Sequence, residues 1–308
     1  MWRILRVCSS AKTRLFKSLD SRHLVTAHDI ETFQTQGVVC LRGAFREWVE
    51  KLKKGIATNH ANPSNDRGEW IKSEDSQTFY FNDYFNWRRI PEFEEFVRLS
   101  PAAEIAGKLM KSEFAVFFHE HVFIKDPGTT RGTPWHQDQP YYPVNGRKNC
   151  SLWLPVTPVS KDSCLKYVGG SHKWGKWFIP RKFASSKNYN LIDDSNTNSK
   201  QEAFEAIPDI DGEPDKYELF SWDLEPGDCI AFHMLTVHGA KQTSDISGRQ
   251  VIATRWLGED ATFANRPWET APSFPLGLKP GDAYYTSDSF PVMWRSGQDS
   301  ECTDDKTW

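Results

Sequence analysis

From Phe114 onward the chain reads as a series of short β-strands divided by turn signals, and this pattern restricts its architecture more than any other feature. Phe114–Lys125 is rich in aromatic and β-branched residues and alternates with the period of two expected of a packed strand. Further short runs follow at Cys150–Val156, Leu165–Val168, Cys229–Phe232 and Val251–Leu257, with Pro226-Gly227-Asp228 as a turn before Cys229. Upstream the periodicity is helical. Thr26-Ala27-His28-Asp29 reads as a capping box with Asp in place of Glu, Gly37 ends that helix, and Val38–Leu41 reads as a strand. Residues 45–58 carry an amphipathic pattern that stops before Asn62-Pro63, and Ser100-Pro101 opens another helix through about Met110. Helices first and short strands after predict a mainly β fold with an N-terminal helical layer, a sandwich or jelly roll.

The β region carries metal-ligand chemistry. His136 and Asp138 stand two residues apart in Thr133–Pro140. On a strand, side chains at i and i+2 share a face, which aims imidazole and carboxylate at one point. A second histidine would complete the two-histidine, one-carboxylate facial triad of non-haem Fe(II) oxygenases. The best candidate is His238, one hundred residues after Asp138, so only the fold can join them. Zinc or another ion is an alternative for the same ligands. Arg249 follows His238 by eleven residues.

His136-Gln137-Asp138, the segment Phe232–Gly239 with His238 near its end, and Arg249 in that order resemble the phytanoyl-CoA dioxygenase family of Fe(II)/2-oxoglutarate oxygenases. The flanking Gln139–Pro143 and Tyr167–His172 agree, and the resemblance spans roughly residues 24 to 295. It implies a double-stranded β-helix, a cupin-like jelly roll. It also implies Fe(II) on His136, Asp138 and His238, and 2-oxoglutarate as cosubstrate with its far carboxylate on Arg249. Trp153 matches a family tryptophan beside 2-oxoglutarate, and His121 falls at a cosubstrate-contact position; core packing is the competing reading of both. Arg255 lies on the same strand as Arg249, and the spacing favours Arg249 as anchor. His233 is expected to support the iron site or pack, and His172 to set a turn. The reaction implied is hydroxylation of a small-molecule substrate, acyl-type or anionic among the options, by O2 with release of succinate and CO2. Ascorbate is a candidate accessory reductant. Related halogenases carry Gly or Ala at the carboxylate position, so the presence of Asp138 favours hydroxylation.

Composition bounds the rest. A chain of 308 residues with net charge −3 shows no nucleic-acid surface, and its 13 tryptophans and 20 phenylalanines can fill one large core. We expect a single domain over residues 24–308 behind a basic extension, residues 1–23. That extension holds Arg3, Arg6, Lys12, Arg14 and Lys17 with no acid before Asp20. It resembles a mitochondrial transit peptide, with a disordered tail as the alternative. Six scattered cysteines lack zinc spacing and suit a reducing compartment, cytoplasmic or mitochondrial rather than secreted. No apolar run reaches the ~18 residues of a membrane span. Residues 183–218 read as a polar insertion or lid. Trp135, Tyr141, Tyr142, Trp174 and Trp177 are candidates for an apolar pocket, and the cations between Lys161 and Lys187 for a basic lip. Two other readings stay open: a non-catalytic jelly roll that binds a metal or small acid, and a Zn- or Mn-dependent cupin-type lyase or isomerase.

Overall fold

The computed structural model describes residues 24–72, 78–129, 132–183, 187–190, 204–241, 247–272 and 276–297. The basic extension, and residues 191–203 at the centre of the proposed insertion, lie outside the described residues. Four helices enter the fold first: α1 (Ala27–Gln36), α2 (Val49–Ala61), α3 (Pro91–Leu99) and α4 (Ala102–Met110). Among them run β1 (Val38–Leu41), β2 (Glu69–Lys72) and β3 (Phe79–Tyr84). The β region proper comprises β4 (Phe114–Lys125), β5 (Thr133–His136), β6 (Val144–Asn145), β7 (Asn149–Pro155), β8 (Lys166–Val168), β9 (Trp177–Phe178) and β10 (Phe204–Glu205). It ends with β11 (Leu219–Phe220), β12 (Cys229–Phe232), β13 (His238–Ala240), β14 (Arg249–Leu257), β15 (Thr262–Phe263) and β16 (Val292–Arg295).

Two antiparallel sheets face each other. The larger has the order β1-β12-β7-β14-β4-β3-β2, with β16 also on β4; the smaller is β11-β8-β13-β5. This is the jelly roll that the strand pattern predicts. The alternation of side chains explains why the larger sheet is buried on both faces. On β14, Ile252 and Trp256 join the core under the helices, while Val251 and Ala253 belong to the core between the sheets. On β7, Leu152 and Leu154 face the helices and Trp153 faces inward. A register shift between Arg255 and Trp256 leaves Arg255 opposite His119 and Trp256 opposite Phe117. Past this one-residue bulge, the inward face of β4 carries His119, His121 and Phe123.

Local signals set most boundaries. Thr26 and Asp29 form the expected reciprocal capping box, and Gly37 closes α1 in the left-handed region at φ 75°. A Cβ at Gly37 would strike His172 and Thr236. Its carbonyl accepts from His233 N (2.9 Å) and Thr236 Oγ1 (2.8 Å), so the end of α1 braces the loop leading to His238. The helix expected at Ser100 begins one residue later, because Pro101 occupies its N-cap; the Ser100 hydroxyl accepts from Ala102 N at 3.3 Å. The sequence reading passed over α3, although Pro91 opens it and Phe93, Phe96 and Val97 share its buried face. It also passed over β2, β3 and β16, which extend the sheet beyond β4. The four described cysteines are free, and Cys150, Cys164 and Cys229 are buried. Among the described residues no helix is long and apolar enough to cross a membrane.

Candidate active site

His136 ends β5 and His238 begins β13, and the two pair directly across the ladder between these strands. That pairing closes the hundred-residue gap and brings the imidazole centroids to 4.1 Å. Asp138 reaches the same point by a route the sequence did not suggest. It lies beyond the end of β5, in helical conformation (φ −70°, ψ −44°), as the N-cap of a single 3-10 turn with Pro140 in its first turn. The turn, rather than the strand pleat, aims the carboxylate back at His136. Gln139 N donates to Met234 O (3.0 Å), and the Gln137 amide donates to Leu235 O (3.0 Å), fastening the turn to the loop before His238.

Each histidine is locked by the carbonyl two residues before it: His136 Nδ1 to Pro134 O at 2.8 Å, His238 Nδ1 to Thr236 O at 2.9 Å. A carbonyl only accepts, so Nδ1 carries the proton and Nε2 presents its lone pair. The Nε2 atoms stand 3.5 and 3.6 Å from Asp138 Oδ1, and the three ligand-type atoms lie within 4.8 Å of one another. All three residues are buried. Burial and the neighbouring His136 push His238 down to about 3, so its imidazole is neutral at physiological pH. Burial alone would raise Asp138, but Arg255 and the two imidazoles hold it well below the usual carboxylate range. A neutral His238 imidazole and an ionised Asp138 carboxylate suit a divalent metal.

Asp138 Oδ2 accepts from Ser151 Oγ (2.8 Å) and from Arg255 Nη2 (3.2 Å). Sequence spacing separated Arg255 from Arg249; the structure gives them different partners. Arg249 shares the inward face of β14, donates to Ser163 O at 2.6 Å and places its guanidinium 5.2 Å from the Trp153 ring. Both arginines, Trp153, His121 and the triad line one cavity of about 510 Å³. Ala253 lies directly between Trp153 of β7 and His121 of β4. Ala253 itself is fully buried in the core between the sheets. His121 Nε2 bonds Asn82 Oδ1 at 3.1 Å, and its ring stacks on Phe123 at 4.0 Å.

The outer cavity wall is aromatic. Tyr141 and Phe183 stack at 5.8 Å, and Phe183 meets His136 edge-on at 5.0 Å. Tyr141 and Tyr142 line the cavity as expected, whereas Trp135, Trp174 and Trp177 do not. Trp135 packs instead with Val168, Phe178 and Val237, and Trp174 packs against the same cluster. Trp177 holds the Arg266 guanidinium 4.7 Å from its ring. The basic lip is not assembled either. Of the cations described between Lys161 and Lys187 only Lys182 lines the cavity, beside Arg67 and the acids Asp66, Glu69 and Glu269. His233 stays outside, bonded to Arg147 O (2.8 Å) and Leu235 N (3.0 Å), and His172 sits in a 3-10 turn. Sequence reasoning missed Ser151 and Asn82 and undervalued Arg255. Even spacing along a strand, Ser151 with Trp153 and Arg255 with Arg249, was the available signal.

The jelly roll thus brings a buried His-Asp-His set together at one cavity. The profile described as phytanoyl-CoA dioxygenase (PhyH) matches residues 33–251, and the chain belongs to that family. A "Probable phytanoyl-CoA dioxygenase" of Caenorhabditis elegans is 23% identical over 147 residues, 46% of this chain. The match covers 42% of that relative, so this chain spans under half its length. The crystal structure of SnoK, a non-heme alpha ketoglutarate dependent carbocyclase from nogalamycin biosynthesis, superposes with TM-score 0.67 at 20% identity, covering 89% of this chain and 98% of that one. EctD from S. alaskensis with 2-oxoglutarate and 5-hydroxyectoine gives TM-score 0.59 at 15% identity, covering 84% and 86%.

Proposed function

We propose that this chain is an Fe(II)- and 2-oxoglutarate-dependent oxygenase that hydroxylates a small molecule. The observation that carries this reading is one cavity lined both by a convergent, buried His-Asp-His set and by the buried Arg249 guanidinium. His136, Asp138 and His238 would hold the metal through Nε2, Oδ1 and Nε2. Arg249 would grip the far carboxylate of 2-oxoglutarate with paired, charge-assisted hydrogen bonds. Trp153 would form one wall beside the cosubstrate. When bound, the iron supplies activation of O2, coupled to oxidation of 2-oxoglutarate to succinate and CO2. One oxygen atom enters succinate and the other enters a C–H bond of the substrate. The protein's part is to fix geometry, orient both imidazoles through their Nδ1 bonds and exclude bulk water.

The cavity volume suits a small molecule. Its aromatic wall and mixed rim, three acids against two bases, favour an apolar or aromatic substrate over a polyanion. A zinc or manganese lyase would leave the buried Arg249 beside Trp153 without a task.

Anaerobic titration of the apo-protein with Fe(II) and then 2-oxoglutarate tests the reading. We expect a broad visible charge-transfer band that saturates at one iron and one 2-oxoglutarate per chain. Folded, iron-loaded protein without such a band would remove the oxygenase reading. Ala253→Leu probes the cavity from behind, because Ala253 lies between the cavity-lining Trp153 and His121. The added isobutyl group should weaken 2-oxoglutarate binding by at least about tenfold through overpacking, with Fe(II) affinity unchanged by calorimetry. Unaltered 2-oxoglutarate binding would mean the cosubstrate lies elsewhere.

A further inference from the structure

We propose that Arg255 is a positioning residue: seated between His119 and Ser151, it holds Asp138 so that only Oδ1 faces the metal. This rests on the oxygenase reading of His136, Asp138 and His238 given above. The argument starts from register. His119 of β4, Arg255 of β14 and Ser151 of β7 are direct cross-strand partners and form one rung on the inward face of the larger sheet. Two members of that rung donate to the same atom, Asp138 Oδ2, at 2.8 Å from Ser151 and 3.2 Å from Arg255. The other carboxylate oxygen, Oδ1, is the one nearest to both imidazole Nε2 atoms. The two oxygens are thus divided between the sheet and the metal position.

The placement of Arg255 is costly, which argues that its ion pair with Asp138 matters. Its side chain is buried, and Nε and Nη1 find no hydrogen-bond partner. The Tyr142 hydroxyl approaches the guanidinium without completing a bond to either atom. Buried guanidinium donors left unfilled cost free energy that the contact with Asp138 must offset. His119 supports the arrangement from the other side. Its Nδ1 bonds Glu120 O at 3.1 Å, which leaves the Nε2 lone pair, itself without a partner, on the arginine's cross-strand neighbour. The His119 ring stacks on Phe85 at 4.8 Å, and Phe85 is itself held at φ 60°, a strained conformation for a bulky residue. The β4 end of the rung is thus packed against Phe85.

The consequence is coordination number. A carboxylate free to turn could bind the metal through both oxygens and close a position that the facial triad must leave open for cosubstrate or O2. With Oδ2 held by two donors, Asp138 occupies one position only.

Arg255→Met, which keeps volume and removes the donors, separates this role from a structural one. We expect the variant to bind Fe(II) at least as tightly as wild type, because a nearby positive charge has gone. Its Fe(II)–2-oxoglutarate band should shift or weaken, and substrate-free succinate formation should fall about 10- to 100-fold, the usual cost of losing a partner of a metal ligand. Arg255→Lys, which restores one donor, should recover part of the band. Ser151→Ala should change the band in the same direction by less. A wild-type band and wild-type turnover in Arg255→Met would overturn the inference. So would a loss of iron binding in step with a loss of thermal stability. If Arg255→Met fails to fold, Ser151→Ala decides, and an unchanged band there counts against the proposal. Absence of the band in wild type would instead sink the underlying oxygenase reading.

Discussion

Asp138→Ala should yield a protein that is both inactive and less stable by about 3–5 kcal/mol, the cost of leaving a buried charge without its partner. The stability loss comes from Arg255, not from the lost carboxylate itself. Arg255 is 4% exposed, and Asp138 is its salt-bridge partner in the structure. Removing the carboxylate leaves a largely buried guanidinium without its ion-pair partner. The double variant Asp138→Ala/Arg255→Met should therefore regain most of the lost stability and remain without iron-dependent turnover. His238→Ala makes the contrast. It removes a neutral ring stacked on Tyr167 at 5.5 Å, strands no charge, and should lose metal binding by more than about a hundredfold with a smaller drop in stability. Urea denaturation and Fe(II) calorimetry on the four proteins measure both quantities. Equal destabilisation by Asp138→Ala and by the double variant would show that Arg255 does not depend on Asp138.

Arg249→Ala should raise the 2-oxoglutarate concentration for half-saturation by at least about a hundredfold. Two charge-assisted hydrogen bonds at about 1.5–3 kcal/mol each supply that factor, since about 1.4 kcal/mol is tenfold. The iron affinity should be unchanged, because Arg249 touches none of the three ligands and contacts Ser163 O and the Trp153 face instead. Arg249→Lys should recover only a little. An ammonium keeps the charge but loses the planar fork and its stacking on the indole. The charge-transfer band, titrated with 2-oxoglutarate at fixed iron, measures the effect directly. A variant that saturates at wild-type concentrations would move the anchor to another residue, with Arg255 the first to examine.

The architecture was legible because it rests on local signals. Alternation along Phe114–Lys125, the capping box at Thr26 and the turn at Gly227 each act over a few residues, and the structure keeps them all. The triad was legible as a set of residue types in order. Its geometry was not, because Asp138 is aimed by a turn whose hydrogen bonds go to Met234 and Leu235, about a hundred residues away. Arg255 shows the limit most clearly. Nothing in Ala253-Thr254-Arg255-Trp256 distinguishes a site residue from a strand cation. Its meaning depends on the register that sets Ser151 and His119 on either side. The pocket aromatics failed for a related reason: Trp135 neighbours His136 in sequence, and alternation sends it to the opposite face.

The cavity draws its two ends from different kinds of backbone. Its inner end draws on β14, a central strand hydrogen-bonded on both sides by β4 and β7, which carries both Arg249 and Arg255. Its mouth comes from segments outside that sheet core: Asp66, Arg67 and Gly68 before β2, Lys182 and Phe183 after β9, Glu269 and Ala271 after β15. Connecting segments tolerate replacement and length change far better than a central strand does. Replacements at the rim can therefore alter which molecules enter the cavity without disturbing the strand that carries Arg249 and Arg255.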